Sequence, residues 1–331
     1  MLRFPWRVAR HLAAAASRVD VVDATSGDAW LWCGQRRPGG GSTALVTRAH
    51  GLEHVTAHDL RRRARAGHVH LSWKYPIYHG GYRLWEVRRS MVGADGQIFL
   101  NAADRDYAVS AFGITAGTSV VLPNGVPDRL LDLPPVTSHT DASSPIALAF
   151  VGSWIPRKGT RAVVEMASAL HERGISFTLR LLGTGMDAVT VRENFIPDVR
   201  AHIEVVPHFA PEELAGLLSD AEVMVHPSWT EGFSLALVEG MACGLAPVST
   251  RSGGAADVVR DGESGIMLPD DRGASLADAV VRLSADRALL GRMRGAAQAD
   301  ARRLRWASIA ERTLAFYRSA IARRARAAGR T

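Results

Sequence analysis

The chain is poor in the groups that build disulfides, metal sites and membrane spans. Only Cys33 and Cys243 occur in 331 residues, too few for a disulfide framework and without metal-ligand spacing, so both are expected to be reduced and structural. No H-E-x-x-H is present, and although His54 and His58 stand four apart on an expected helix, no metal site is expected. Uninterrupted apolar runs fall well short of the roughly 20 residues that cross a bilayer as a helix. After Arg3, Arg7 and Arg10 the run L-A-A-A-A is too short for a signal-peptide core, with His11 before it and Arg18 soon after, and it reads as an amphipathic helix. Internal repeats and low-complexity segments are lacking. Glycine is absent before Gly27.

What is present suits a globular protein of two cores: 47% apolar and 22% charged residues over a length typical of two domains. The charge balance is basic, 40 Lys plus Arg against 33 Asp plus Glu for a net +7, and arginine dominates. One cluster is Arg61, Arg62, Arg63 and Arg65. Another is the tail, with Arg302, Arg303, Arg305, Arg312, Arg318, Arg323, Arg324, Arg326 and Arg330. Such clusters are candidates for peripheral contact with an anionic membrane. Few aromatics interleave with these arginines, so no nucleic acid partner is expected.

Strand-like and helix-like patterns alternate throughout, the pattern of doubly wound α/β domains. In the first half residues 19–24, 44–47, 97–100 and 119–122 read as strands. Residues 134–145, rich in Pro, Ser and Thr, read as a linker, which sets expected domains at 1–140 and 141–331. The second half restarts with residues 146–152 and continues with 178–183, 202–206, 221–225, A-P-V-S-T (246–250) and G-I-M-L (265–268).

The most informative stretch lies between the last three of these. A buried strand ending at Val225 leads into H-P-S-W-T-E-G-F, residues of a tight loop, and then into an apolar helix with Ser234 as its expected N-cap and Gly244 and Pro247 as its stop. First-turn amides without internal partners, added to the helix dipole, suit a diphosphate. Glu231 precedes that point and Glu239 follows it, roughly 7 Å into the helix at about 1.5 Å per residue, a spacing that suits the two hydroxyls of a ribose.

The run H-P-S-W-T-E-G-F-S-L-A-L-V-E-G-M-A-C-G-L-A-P-V-S-T-R-S-G-G resembles the donor-binding segment of the retaining GT-B glycosyltransferases, the group 1 or family 4 type marked by two glutamates eight apart. The resemblance implies two Rossmann-like domains facing a cleft, the donor held mainly by the second and the acceptor by the first. It implies a nucleoside-diphosphate sugar as donor, no cofactor and no metal. It assigns Glu231 to the sugar, Glu239 to the ribose and the amides of Gly232, Phe233 and Ser234 to the diphosphate. In G-S-W-I-P-R-K-G, residues 152–159, Lys158 stands where the family places a lysine on the diphosphate. The family's arginine position holds Ser153, and Arg157 is the candidate replacement. His50, in R-A-H-G-L-E-H after a strand, matches a histidine that approaches the donor sugar. The family's first domain opens with a strand and a glycine-rich turn, whereas this chain opens with a helical pattern and shows four strands, so an N-terminally truncated first domain is expected.

Besides a basic membrane-associated scaffold, which would need neither site, two other readings compete. G-T-G-M-D-A, residues 183–188, satisfies a loose dinucleotide fingerprint with Glu204 about 20 residues on, which would suit an NAD-dependent oxidoreductase. It follows the second strand of its domain instead of the first, however, and Glu204 lies inside a strand. A non-catalytic sugar-nucleotide binding subunit would keep the second-domain site alone. The preferred expectation is a hexosyltransferase of cell-surface glycan or glycolipid synthesis, cytoplasmic or peripheral at the inner membrane face, with a lipid-linked acceptor among the options.

Overall fold

The computed structural model describes residues 3–15, 18–36, 42–136 and 144–329. Two compact units result: Met1–Pro123 together with Ala307–Thr331, and Asn124–Trp306. The division falls at Pro123/Asn124, earlier than the expected 140/141, and the end of the chain joins the first unit. Both differences have physical causes. Residues 134–136 are tied to the second unit through Gln298, whose amide nitrogen donates to the Pro134 carbonyl at 3.0 Å and whose oxygen accepts from the Val136 amide at 3.1 Å. The last helix, Trp306–Ala327, carries its apolar side chains at helical spacing and lays Phe316, Tyr317, Ala320 and Ile321 on the first sheet. Residues 137–143 of the expected linker, and Arg330 of the arginine tail, lie outside the described residues.

The first unit is built on a parallel sheet of β1 (Val21–Thr25), β2 (Ala44–Ala49), β3 (Gly96–Phe99) and β4 (Ser119–Val121), in the order β1-β2-β3-β4. These are the four strands expected from the sequence, displaced by at most two residues. One face packs Val46, Ile98 and Leu122 under the last helix. The other packs Phe99 against Leu52, Val87, Met91 and Phe112. The opening pattern forms the helix Arg3–Ala15, as expected, and its Ala9 joins Trp32 and Leu45 in a smaller cluster.

The second unit holds six parallel strands: β5 (Ile146–Val151), β6 (Phe177–Leu182), β7 (Ile203–Val206), β8 (Val223–His226), β9 (Ala246–Thr250) and β10 (Ile266–Leu268), ordered β10-β9-β8-β5-β6-β7. β5, β8 and β9 read as near-continuous apolar runs because helices cover both faces of a parallel sheet. The chain winds outward from β5 to β7, then crosses back to lay β8 on the other side of β5. That reversal makes a switch point, and the loops leaving the carboxyl ends of β5 and β8 flank it. In open α/β sheets this is where ligands bind.

Candidate functional site

The two loops at the switch point are locked together by backbone contact. After β5 the chain turns through Pro156–Lys158 to Gly159, which opens the helix Thr160–Glu172. Gly159 has φ +74°, and a Cβ there would stand 2.1 Å from the Pro227 carbonyl oxygen; only glycine permits this approach. The Trp229 amide donates to the Arg157 carbonyl at 2.9 Å. Gly253, at φ +47° after β9, performs the same service on the other side, since a Cβ would meet the Glu231 carbonyl oxygen at 1.8 Å.

This locking brings Lys158 and Glu231 together from 73 residues apart. Lys158 Nζ donates to Glu231 Oε1 at 2.7 Å. Arg157 Nη1 stands 3.7 Å from Glu231 Oε2 and donates to the Thr230 carbonyl at 3.1 Å, so the candidate replacement for the arginine absent at Ser153 does sit beside Glu231. The Glu231 side chain is 9% exposed. Burial pushes its carboxyl up, but the hydrogen bond and charge of Lys158, helped by His226 and a hydrogen bond from Ser228, outweigh burial and hold it below the ordinary carboxylate value.

Behind Glu231 lies a polar layer that sequence reasoning left without a role. His226 is fully buried, with Nδ1 3.2 Å from Ser249 Oγ and Nε2 3.4 Å from Ser228 Oγ. The Ser249 hydroxyl donates to the Thr250 carbonyl at 2.9 Å, so it accepts from His226 Nδ1–H, and Nε2 and the Glu231 carboxylate share the one proton of the Ser228 hydroxyl. Burial, only partly offset by Glu231 and reinforced by Lys158, lowers the His226 pKa to about 4. The ring is neutral at pH 7. The local signal was the H-P-S triplet, residues 226–228, in the loop that leads to Glu231.

The helix Leu235–Ala242 starts at the same place. Ser234 occupies the N-cap position, yet its hydroxyl does not cap. Its φ of −80° and ψ of 80°, with the Leu235 amide donating to the Phe233 carbonyl at 3.0 Å, describe an inverse γ-turn. This geometry differs from the extended backbone of a capping serine and corrects the expected cap. Ser234 Oγ is buried and has no hydrogen-bond partner, and the amides of Phe233 and Ser234 have none among the described residues. Glu239, one turn on, is partly buried; burial raises its pKa and the charge of Arg129 pulls it back. No hydrogen bond or ion pair holds its carboxylate among the described residues. The helix ends as expected at Gly244, φ +82°.

The remaining expected residues fall elsewhere. His50 is exposed in the first unit, at the carboxyl end of β2, on a loop anchored by the Leu52 amide donating to buried Asp104 at 2.8 Å. His54 packs edge-on against Phe112, and burial, with Arg88 and Arg61, lowers its pKa to about 4. Among the described residues no three potential ligands cluster for a metal. In the dinucleotide-like loop, Asp187 caps the helix Ala188–Glu193 by accepting from the Thr190 amide at 2.9 Å. Glu204 pairs with Arg180 at 2.7 Å, beside a cavity of about 330 Å³ at the opposite end of the strands from the switch point. The oxyacid that a dinucleotide's ribose would need is already engaged there.

Residues 145–286 match the family model described as glycosyl transferases group 1. The match lies within the second unit. Over 179 residues the chain is 32% identical to D-inositol 3-phosphate glycosyltransferase from Arthrobacter sp. (strain FB24), covering 53% of this chain and 42% of that relative's length. Among solved structures, sucrose-phosphate synthase from Thermosynechococcus elongatus is similar with a TM-score of 0.73 at 22% identity, over 96% of this chain and 78% of that one. Anabaena HepE, solved in complex with UDP, is similar with a TM-score of 0.69 at 18% identity, over 95% and 82% of the two chains. At such identities the likeness is one of fold, the GT-B architecture of two Rossmann-like domains.

Proposed function

We propose that the chain is a glycosyltransferase that takes a hexose from a nucleoside-diphosphate sugar and passes it, with retention, to an acceptor hydroxyl. One observation carries this reading. A switch point brings a lysine, an arginine and a buried glutamate to a helix start where a buried serine hydroxyl and two amides await partners.

The chemistry is mainly electrostatic. As the bond from the anomeric carbon to the phosphate oxygen breaks, its electron pair stays on that oxygen, and negative charge grows on the diphosphate. Lys158, Arg157 and the amides of Phe233 and Ser234 face that charge in a partly dry site, where fixed donors act most strongly. Lys158 exchanges its free-state partner Glu231 for phosphate. Glu231 is thereby released to accept hydrogen bonds from sugar hydroxyls and to stabilise positive character on the ring, while Ser228 keeps it oriented. Glu239, whose carboxylate has no hydrogen-bond partner among the described residues, takes the ribose hydroxyls and positions the donor. Retention follows a same-face route: the departing phosphate oxygen accepts the acceptor's proton as the new carbon–oxygen bond forms. His50 keeps the transition-state role that the resemblance implies. The cations are side chains of the protein, so the reading requires neither cofactor nor metal. It includes peripheral association with an anionic membrane surface, where a lipid-linked acceptor would reside.

Calorimetric titration with UDP, GDP, ADP and their hexose conjugates tests the donor site. Micromolar binding of one nucleotide series supports the reading, and binding of none overturns it. Nucleotide binding without turnover of the sugar conjugate would favour a binding subunit.

A further inference from the structure

The exposed aromatic side chains of this protein are not scattered. Trp6, Phe4, Trp73 and Trp85 are 66%, 58%, 76% and 49% exposed, with Ile77 at 65% beside them, and Trp306 is the one other exposed Trp or Phe among the described residues. All four belong to the first unit. They fall in two stretches without a single acid: residues 1–19 and residues 60–85 contain no Asp or Glu.

The cations of these stretches stand at the surface with the rings. Arg7, Arg10 and His11 are exposed on the helix Arg3–Ala15, and Arg61, Arg62, Arg65, His68, His70 and Lys74 are exposed in the second stretch. Lys74 Nζ lies 5.4 Å from the centre of the Trp73 ring. Arg63 and Arg83 are the exceptions, Arg63 buried on Asp59 at 2.8 Å and Arg83 half-buried on Glu53 at 3.1 Å.

The two stretches are linked through a succession of packed helices. The helix Arg3–Ala15 packs on the helix Trp30–Gln35, which packs on the helix Arg83–Val92. Trp30 meets Trp85 with ring centroids 5.0 Å apart, and Tyr82 stacks on Trp85 at 5.8 Å. The segment is built for this display. A five-residue π-helix, Tyr78–Tyr82, contains Gly80, where a Cβ would meet the Tyr75 ring at 2.7 Å, and Arg61 donates to the Gly80 carbonyl.

We infer that this surface of the first unit docks on an anionic phospholipid bilayer, with the indoles in the headgroup region and the arginines and lysine on the lipid phosphates. Indole rings favour the membrane–water interface because one edge is apolar and the other carries a donor. Each exposed cation near an anionic leaflet adds attraction that falls off within a Debye length. Two ring-bearing stretches with no carboxylate of their own match both demands, since the neighbouring acids are already paired: Asp59 with Arg62 and Arg63, and Glu53 with Arg83. A second copy of the chain would present the same cations and repel itself. The inference deepens the membrane part of the proposed function and names the surface responsible.

The test is co-sedimentation of the full chain with vesicles of phosphatidylcholine containing about one third phosphatidylglycerol, against phosphatidylcholine alone. Binding to the anionic vesicles alone is expected, lost as salt rises to about 0.5 M. Trp6→Ala and Trp73→Ala are each expected to cost about tenfold in partitioning, with unchanged circular dichroism. Leu314→Ala, at an exposed position on the last helix, is the control and should cost nothing. No sedimentation, equal binding to neutral vesicles, or tryptophan variants that bind like the parent would each overturn the inference. So would a dimer in light scattering that Trp73→Ala dissociates. Nucleotide titration of the same samples is independent of these outcomes, so failure of the donor site and failure of the docking surface are distinguishable.

Discussion

Replacing Lys158 by alanine tests the centre of the proposed site. Two effects follow from the geometry. The diphosphate loses a charge-assisted hydrogen bond worth about 1.5 to 3 kcal/mol, or roughly ten- to a hundredfold in Kd. Glu231 loses the partner 2.7 Å away that overcomes the upward push of burial on its carboxyl. With that partner gone, burial dominates and the Glu231 pKa rises above the ordinary carboxylate range. An unpaired carboxylate near the phosphates repels them, so in the variant, but not in the parent, nucleoside diphosphate binding should strengthen as pH falls from 7.5 to about 5.5. Isothermal titration with the preferred nucleoside diphosphate and its nucleoside, at both pH values, measures all of this. Nucleoside affinity should be nearly unchanged. An equal loss for nucleoside and diphosphate would remove Lys158 from the phosphates. A variant without the added pH dependence would show that the ion pair does not set the charge of Glu231.

Other measurements follow from the same geometry. Glu239→Ala should weaken binding of the nucleotide itself, whereas Glu231→Ala should leave bare diphosphate binding intact and impair transfer; titrations in which both variants lose affinity would refute the division between ribose and sugar. His226, with a folded pKa of about 4 against 6.5 unfolded, favours the folded state fully above pH 6.5, and that contribution is lost as pH falls toward 4. By pH 5 the loss amounts to about 2 kcal/mol, visible in urea unfolding of the parent and absent from the pH slope of His226→Asn. Gly253→Ala should destabilise the second unit by about 1–3 kcal/mol and weaken nucleotide binding, because its methyl group would displace the Glu231 carbonyl; an unchanged melting temperature would show that the loop yields freely.

Much of the fold was legible because strands buried on both faces announce themselves as apolar runs. I-A-L-A-F-V became β5 and A-P-V-S-T became β9. The helix between β8 and β9 was equally plain, since Leu237, Val238 and Met241 recur at helical spacing and Gly244 ends it. The Pro, Ser and Thr-rich stretch misled. Composition marks a segment as irregular but does not say which core holds it, and Gln298 fastens residues 134–136 to the second unit. The last helix misled for a related reason, since its apolar stripe needs a core without specifying which. Ser234 failed as a cap because the turn ahead of it sets a ψ that propensity does not encode.

The sequence by itself determined the strands, the two glutamates around a helix start and the lysine in its loop, because each follows from short-range pattern. Only the tertiary structure decided that Lys158 meets Glu231, that His226 and Ser228 lie behind that glutamate, and that Trp6, Trp73 and Trp85 of the first unit stay exposed. Those facts depend on the strand order β10-β9-β8-β5-β6-β7 and on which core each helix covers. They are set by long-range packing free energy, and local periodicity carries no record of it.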